Sequence, residues 1–190
     1  MSIQYPRMVY SRVMPHIHDK PGQHDHTVSA YIIRIDGDEP KILLHRHKKL
    51  HVFMQFGGHI ELDETPWQAM KHELLEETGY EFDQLELLQP KDRLKSIDRS
   101  TLHPQPFVHS THNITNDHMH TDLGYVFVTT QEPNHPVASG ESKNMRLFTL
   151  EQMKALPEKD MFTDNRSICE YALTVCLQKW ERISPSSYDS

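Results

Sequence analysis

Between Thr65 and Gly79 the chain carries a complete set of helix start and stop signals. Thr65 offers an N-cap hydroxyl, Pro66 suits the first helical position, Gln68 completes a capping box, and Gly79 permits the left-handed turn that closes a helix. On a helical wheel Trp67, Met70 and Leu74 form an apolar stripe, while Glu73, Glu76 and Glu77 form a second, acidic one. Such a helix has to bury its apolar stripe, and the flanking sequence offers strands to bury it against. Residues 27–34 (TVSAYIIR) are β-branched and aromatic, Asp36, Gly37 and Asp38 supply a turn, and residues 41–46 return as the second arm of a hairpin. A short apolar stretch, 52–56, ends at Gly57 and Gly58. Residues 85–88, 123–130 and 145–149 read as further strands, and 150–155 and 165–179 as further helices. Strands interleaved with helices point to an α/β fold and exclude a helical bundle or an all-β sandwich.

Residues 1–26 are rich in Pro, His and Asp without a sustained period, which predicts an N-terminal extension. Residues 27–180 make up one domain, and the polar residues 181–190 a flexible tail. No apolar run is long enough to span a bilayer, and the N-terminus lacks the order of a secretory signal, so the expectation is a cytoplasmic protein without membrane contact. Cys169 and Cys176 read as small buried side chains. Twenty Lys and Arg against 27 Asp and Glu give a formal charge of −7, which offers no general attraction to nucleic acid. An anionic substrate therefore needs a local source of positive charge.

The acidic stripe can recruit that charge. Like charges at i, i+4 cost a helix about 0.2–0.5 kcal/mol per pair, and a divalent cation reverses the sign. Hard ions such as Mg²⁺ take oxygen ligands and bridge to polyphosphates, so carboxylates on a rigid helix suit metal-assisted phosphate chemistry. Counted from Gly58, the order is five residues, Glu64, seven residues, then His72, Glu73, Leu74, Leu75, Glu76, Glu77, Thr78, Gly79 and Tyr80. This resembles the Nudix box, G-x5-E-x7-R-E-U-x-E-E-x-G-U with U a bulky apolar residue, the signature of the Nudix (MutT-like) hydrolases. Two positions depart from it: His72 stands in place of the arginine that orients the glutamates, and Tyr80 in place of an aliphatic residue.

The resemblance extends over residues 27–155 and implies an α/β/α sandwich with a mixed β-sheet, here with an N-terminal arm and a C-terminal helix. It implies that Glu73, Glu76 and Glu77 bind Mg²⁺ or Mn²⁺, with the Gly57 carbonyl as a further ligand and Glu64 orienting the loop. The implied reaction is metal-dependent hydrolysis of a nucleoside diphosphate linked to another moiety, by attack of water on phosphorus. Glu76 and Glu77 are then catalytic, joined by a glutamate from the loop before the closing strand. Spacing from Leu147, which takes the place of the family's usual tryptophan, favours Glu141, with Glu132 second. Substrate candidates are nucleoside triphosphates, nucleoside diphosphate sugars and dinucleoside polyphosphates, and homodimers are common in the family. The alternative from a different class is a Nudix-fold domain that binds a nucleotide without cleaving it.

Fifteen histidines remain to be placed. His118, His120 and Asp122 alternate at the start of a strand and can converge on one side, as metal ligands, as a substrate-binding set, or as surface. His59 follows the box glycine and is placed to reach phosphate. His16, His18, His24 and His26 fall in the arm and are expected to be solvated. Tyr31, Phe53, Phe56 and Phe107 are candidates for stacking on a base, with a core role the competing assignment.

Overall fold

The computed structural model describes residues 17, 18, 20, 22–115 and 117–189. Strand β1 (His24–Arg34) turns back into β2 (Lys41–Arg46), and the short β3 (Phe53–Met54) leads to helix α1 (Pro66–Thr78). Then follow β4 (Glu86–Gln89), β5 (Val108–Thr115), β6 (His118–Thr129), β7 (Met145–Phe148) and α2 (Leu150–Lys154). Helix α3 (Thr163–Tyr171) continues through a π-helical stretch (Ala172–Cys176) into α4 (Leu177–Lys179), and β8 (Glu181–Ile183) closes the order.

The eight strands form one mixed sheet ordered β3-β2-β1-β6-β4-β8, with β5 added to β6 and β7 to β2. Its centre is the parallel pair β1/β6, in register from His24 opposite Met119 to Arg34 opposite Thr129. Because side chains alternate along β1, Val28, Ala30 and Ile32 join Trp67, Met70 and Leu74 of α1 in one core. Tyr31 and Ile33 face the other way and join Met153, Cys169, Ala172 and Cys176 of the C-terminal helices in a second core. Helices therefore cover both faces, and the α/β/α sandwich with a mixed sheet is the observed fold. Tyr31, Phe53 and Phe56 are buried in these cores, and Phe107 is half-buried with its ring 5.1 Å from that of Tyr31. Both cysteines are free and buried.

Helix α1 begins and ends as its sequence dictates. Thr65 Oγ1 accepts from the Gln68 N–H at 3.3 Å while Gln68 Oε1 accepts from the Thr65 N–H at 2.9 Å. Gly79 sits at φ 76°, where a Cβ would lie 1.9 Å from the His135 carbonyl oxygen.

Three segments depart from expectation. Strand β1 begins at His24 rather than residue 27, because β6 itself starts at His118 and offers residues 24–26 a parallel partner. His16 lies outside the described residues. Strand β5, VHSTHNIT, is largely polar and carries no burial pattern; it forms by pairing antiparallel with the N-terminal half of β6. The expected flexible tail is instead tied down: β8 pairs with β4, Trp67 Nε1 donates to the Pro185 carbonyl at 3.3 Å, and the Tyr188 ring packs 6.0 Å from Trp67. Among the described residues, no helix is long and apolar enough to cross a membrane.

Candidate active site

Residues 56–60 run as a strap along β1, with Ala30 N–H donating to the Phe56 carbonyl at 2.8 Å and Val28 N–H to that of Gly58 at 3.0 Å. The acidic stripe of α1 meets this strap. Gly57 N–H donates to Glu77 Oε2 at 2.6 Å. At Gly58 a Cβ would lie 2.1 Å from Glu73 Oε1, so only glycine leaves room for that carboxylate. Gly57 is constrained from the other side: φ is 130°, and a Cβ would lie 2.0 Å from the Val28 carbonyl oxygen.

Glu141 arrives from the loop before β7, which is anchored to β2 by Ser142 Oγ donating to the Arg46 carbonyl at 2.7 Å. Its carboxyl lies beside that of Glu77. Burial pushes Glu77 up to about 8; the Gly57 N–H opposes this, and the charges of Glu73 and Glu141 add to it. Burial likewise pushes Glu73 up to about 7, opposed by His72 and reinforced by Glu76 and Glu141. Glu76 is the exposed member of the stripe. Carboxyl groups of Glu73, Glu77 and Glu141, from α1 and one distant loop, thus converge beside the two glycines, with Glu76 on the same stripe, and burial works against the charge of Glu73 and Glu77. This all-oxygen donor set fits a hard divalent cation, whose charge would offset both the burial and the mutual repulsion.

His72 takes up much of the role expected of an arginine. Its Nδ1 lies 2.6 Å from Glu64 Oε1 and its Nε2 3.4 Å from Glu73 Oε1, so one ring bridges both glutamates. Tyr80 is buried, with its hydroxyl donating to the Gln131 carbonyl at 2.7 Å and accepting from Arg34 Nη1 at 3.2 Å. Glu132 is 80% exposed in its side chain and pairs with Arg34 at 2.9 Å. His45 is buried with Nδ1 4.0 Å from Glu77 Oε1, and burial pushes it down to about 4.

The late histidines gather around a residue that sequence reasoning missed. Asp25 is fully buried; His59 Nε2 and His118 Nε2 approach its Oδ2 at 3.4 and 3.3 Å, and His18 Nδ1 its Oδ1 at 2.8 Å. His59 Nε2 also lies 3.3 Å from His120 Nε2. Burial works against the Asp25 charge, but hydrogen bonds from the His18 side chain and backbone, the charge of His59 and the Ile17 N–H together hold its carboxyl below the ordinary value. Asp122 is held apart from this group: Thr27 Oγ1 and Ser29 Oγ donate to its Oδ1 at 2.8 and 2.9 Å, and burial pushes it up. The signal for Asp25 was the register between two distant strands, which sets it opposite His120. His18 is therefore engaged, whereas His24 and His26 are exposed as expected.

The family model of the NUDIX domain matches residues 25–171. A crystal structure of a NUDIX-family hydrolase from Clostridium perfringens is 30% identical, with a TM-score of 0.63 over 78% of this chain and 95% of that one. An Ap4A hydrolase from C. elegans, solved as a binary complex, is 18% identical with a TM-score of 0.53, covering 75% of this chain and 92% of that one. The E. coli dihydroneopterin triphosphate pyrophosphohydrolase is 15% identical with a TM-score of 0.53, covering 78% and 94% respectively. These last two share the fold. Among curated proteins none matches. The chain belongs to the Nudix family of hydrolases.

Proposed function

We propose that this hydrolase cleaves a nucleoside diphosphate linked to a second moiety, with Mg²⁺ or Mn²⁺ held by Glu73, Glu76, Glu77 and the Gly57 carbonyl. The observation that carries the reading is the convergence of Glu73, Glu77 and Glu141 beside Gly57 and Gly58, with burial and mutual charge pushing Glu73 up to about 7 and Glu77 up to about 8. Two buried carboxyls with raised values in one cleft mark a place where charge is meant to be met by a ligand. When bound, the cation supplies positive charge against that of the polyphosphate. The chain's own residues do the rest. Glu73 and Glu77 fix the ligand oxygens against the strap, and the Gly57 N–H keeps Glu77 in one orientation. His72 holds Glu64 and Glu73 in register. Glu141, beside Glu77, takes the proton from the attacking water, whose oxygen bonds to phosphorus as the bond to the leaving phosphate oxygen breaks.

The relatives that cleave Ap4A and dihydroneopterin triphosphate suggest the range of substrates to try. The test is a screen for Mg²⁺- or Mn²⁺-dependent cleavage of nucleoside triphosphates, nucleoside diphosphate sugars and dinucleoside polyphosphates. Turnover of at least one class that stops on chelation is expected. Calorimetric binding of a nucleotide without turnover of any member would replace this proposal with the non-catalytic binding module.

A further inference from the structure

The group around Asp25 lies apart from the glutamates. On β1 the even-numbered residues Val28, Ala30 and Ile32 face α1, so Asp25 and Thr27 face the other way. His59 pairs with Thr27 across the strap, and His120 is the β6 partner of Asp25. Three segments distant in sequence thus bring one side chain each to a single point on the sheet face opposite α1.

Two of the three separations at that point match a coordination shell. Donor atoms bound at 2.0–2.1 Å to a tetrahedral ion stand about 3.3–3.4 Å from one another. His59 Nε2 is 3.3 Å from His120 Nε2 and 3.4 Å from Asp25 Oδ2, and the three ligand atoms all lie within 4.8 Å of one another. His120 is 5% exposed and Asp25 fully buried, so both side chains are held in place by packing. A supporting layer is present too. His18 Nδ1 and N–H approach Asp25 Oδ1 at 2.8 and 2.9 Å, the Ile17 N–H donates to Oδ2 at 3.1 Å, and His118 Nε2 approaches Oδ2 at 3.3 Å. Partners of this kind orient a ligating carboxylate and raise metal affinity.

We propose that Asp25, His59 and His120 bind one divalent first-row transition ion of the Zn²⁺ class, at a site separate from the hard-cation site of the glutamates. Two imidazole nitrogens and one carboxylate oxygen favour such an ion over Mg²⁺, which prefers oxygen ligands. Three protein ligands leave a fourth position for water or an anionic group. The ion ties the N-terminal end of β1 and the start of β6 to the residue that follows the box glycines, so it also fixes the strap on which Glu73 and Glu77 lean.

The test uses the full chain without a polyhistidine tag, stripped with a chelator, exposed to Zn²⁺ and passed through gel filtration. Elemental analysis is expected to find one equivalent of zinc in the wild type and in the Glu73→Gln, Glu77→Gln variant, and at least a tenfold lower affinity in His59→Ala and His120→Ala. X-ray absorption of the zinc-loaded wild type is expected to show imidazole scattering, a readout that needs no variant to fold. The wild-type zinc is also expected to raise the melting temperature. No retained zinc, zinc without imidazole ligands, or zinc lost with the glutamates but kept by His59→Ala would each overturn the site.

Discussion

His72 shows how one side chain can hold a box together where an arginine is expected. Its two nitrogens reach Glu64 and Glu73, at 2.6 and 3.4 Å, but neither contact is bidentate as a guanidinium contact can be. We expect His72→Ala to raise the Mg²⁺ concentration needed for half-maximal turnover by about tenfold, and His72→Arg to keep it near the wild-type value. An unchanged requirement in His72→Ala would remove the bridge from the account. The pH dependence of Glu77 offers a second test at this scale. Its value rises from 4.5 unfolded to about 8 folded, so between those limits the metal-free native state holds a proton that the unfolded chain has released. Stability is therefore lost as pH rises through this window. His45 works in the opposite direction, since burial pushes it down to about 4 and stability is lost as pH falls below its usual range. Comparison with a variant separates the two. In chelator, the urea midpoint of the wild type should fall between pH 5 and 8 by more than that of Glu77→Gln, and Mg²⁺ should narrow the gap. Parallel slopes would mean that Glu77 titrates normally.

At the scale of elements, α1 and the strap differ in how far they could be read from sequence. The bounds of α1 were legible because Thr65, Pro66, Gln68 and Gly79 act locally, each through backbone groups within a turn. The tight approach of Glu73 to Gly58 was not, because it depends on how the helix packs against the strap. It separates two substitutions that look alike. Gly58→Ala meets the end of a flexible side chain, so it should displace Glu73 and cut turnover at least tenfold with a small loss of stability. Gly57→Ala meets the Val28 carbonyl at 2.0 Å and carries φ 130°, so it should chiefly lower the melting temperature. Equal effects of the two on stability would contradict this division. Strand β5 was illegible for another reason: VHSTHNIT buries little, and only its pairing with β6 makes it a strand.

Across the whole molecule, the two sheet faces hold different side-chain clusters on either side of one short strap, carboxyls on one and histidines around Asp25 on the other. The glutamate stripe and Gly57–Gly58 are recognisable as a unit because the residues lie within one stretch of chain, and spacing from the closing strand points to Glu141, which lies beside Glu77. Asp25 was not, because its partners come from His59 and His120, and their meeting depends on sheet order. The tail was misread because its polar composition hides contacts of Pro185 and Tyr188 with Trp67. The acidic balance of the chain, −7 overall, is consistent with a site that draws its positive charge from a cation. The central claim is that the carboxylates of α1 carry the reaction. Its most direct test is the Mg²⁺-dependent turnover of Glu76→Gln, Glu77→Gln beside the wild type, on the same nucleotide, with melting temperatures measured in parallel. We predict a fall of roughly 100-fold or more with the fold retained; wild-type turnover in the double variant would contradict the assignment.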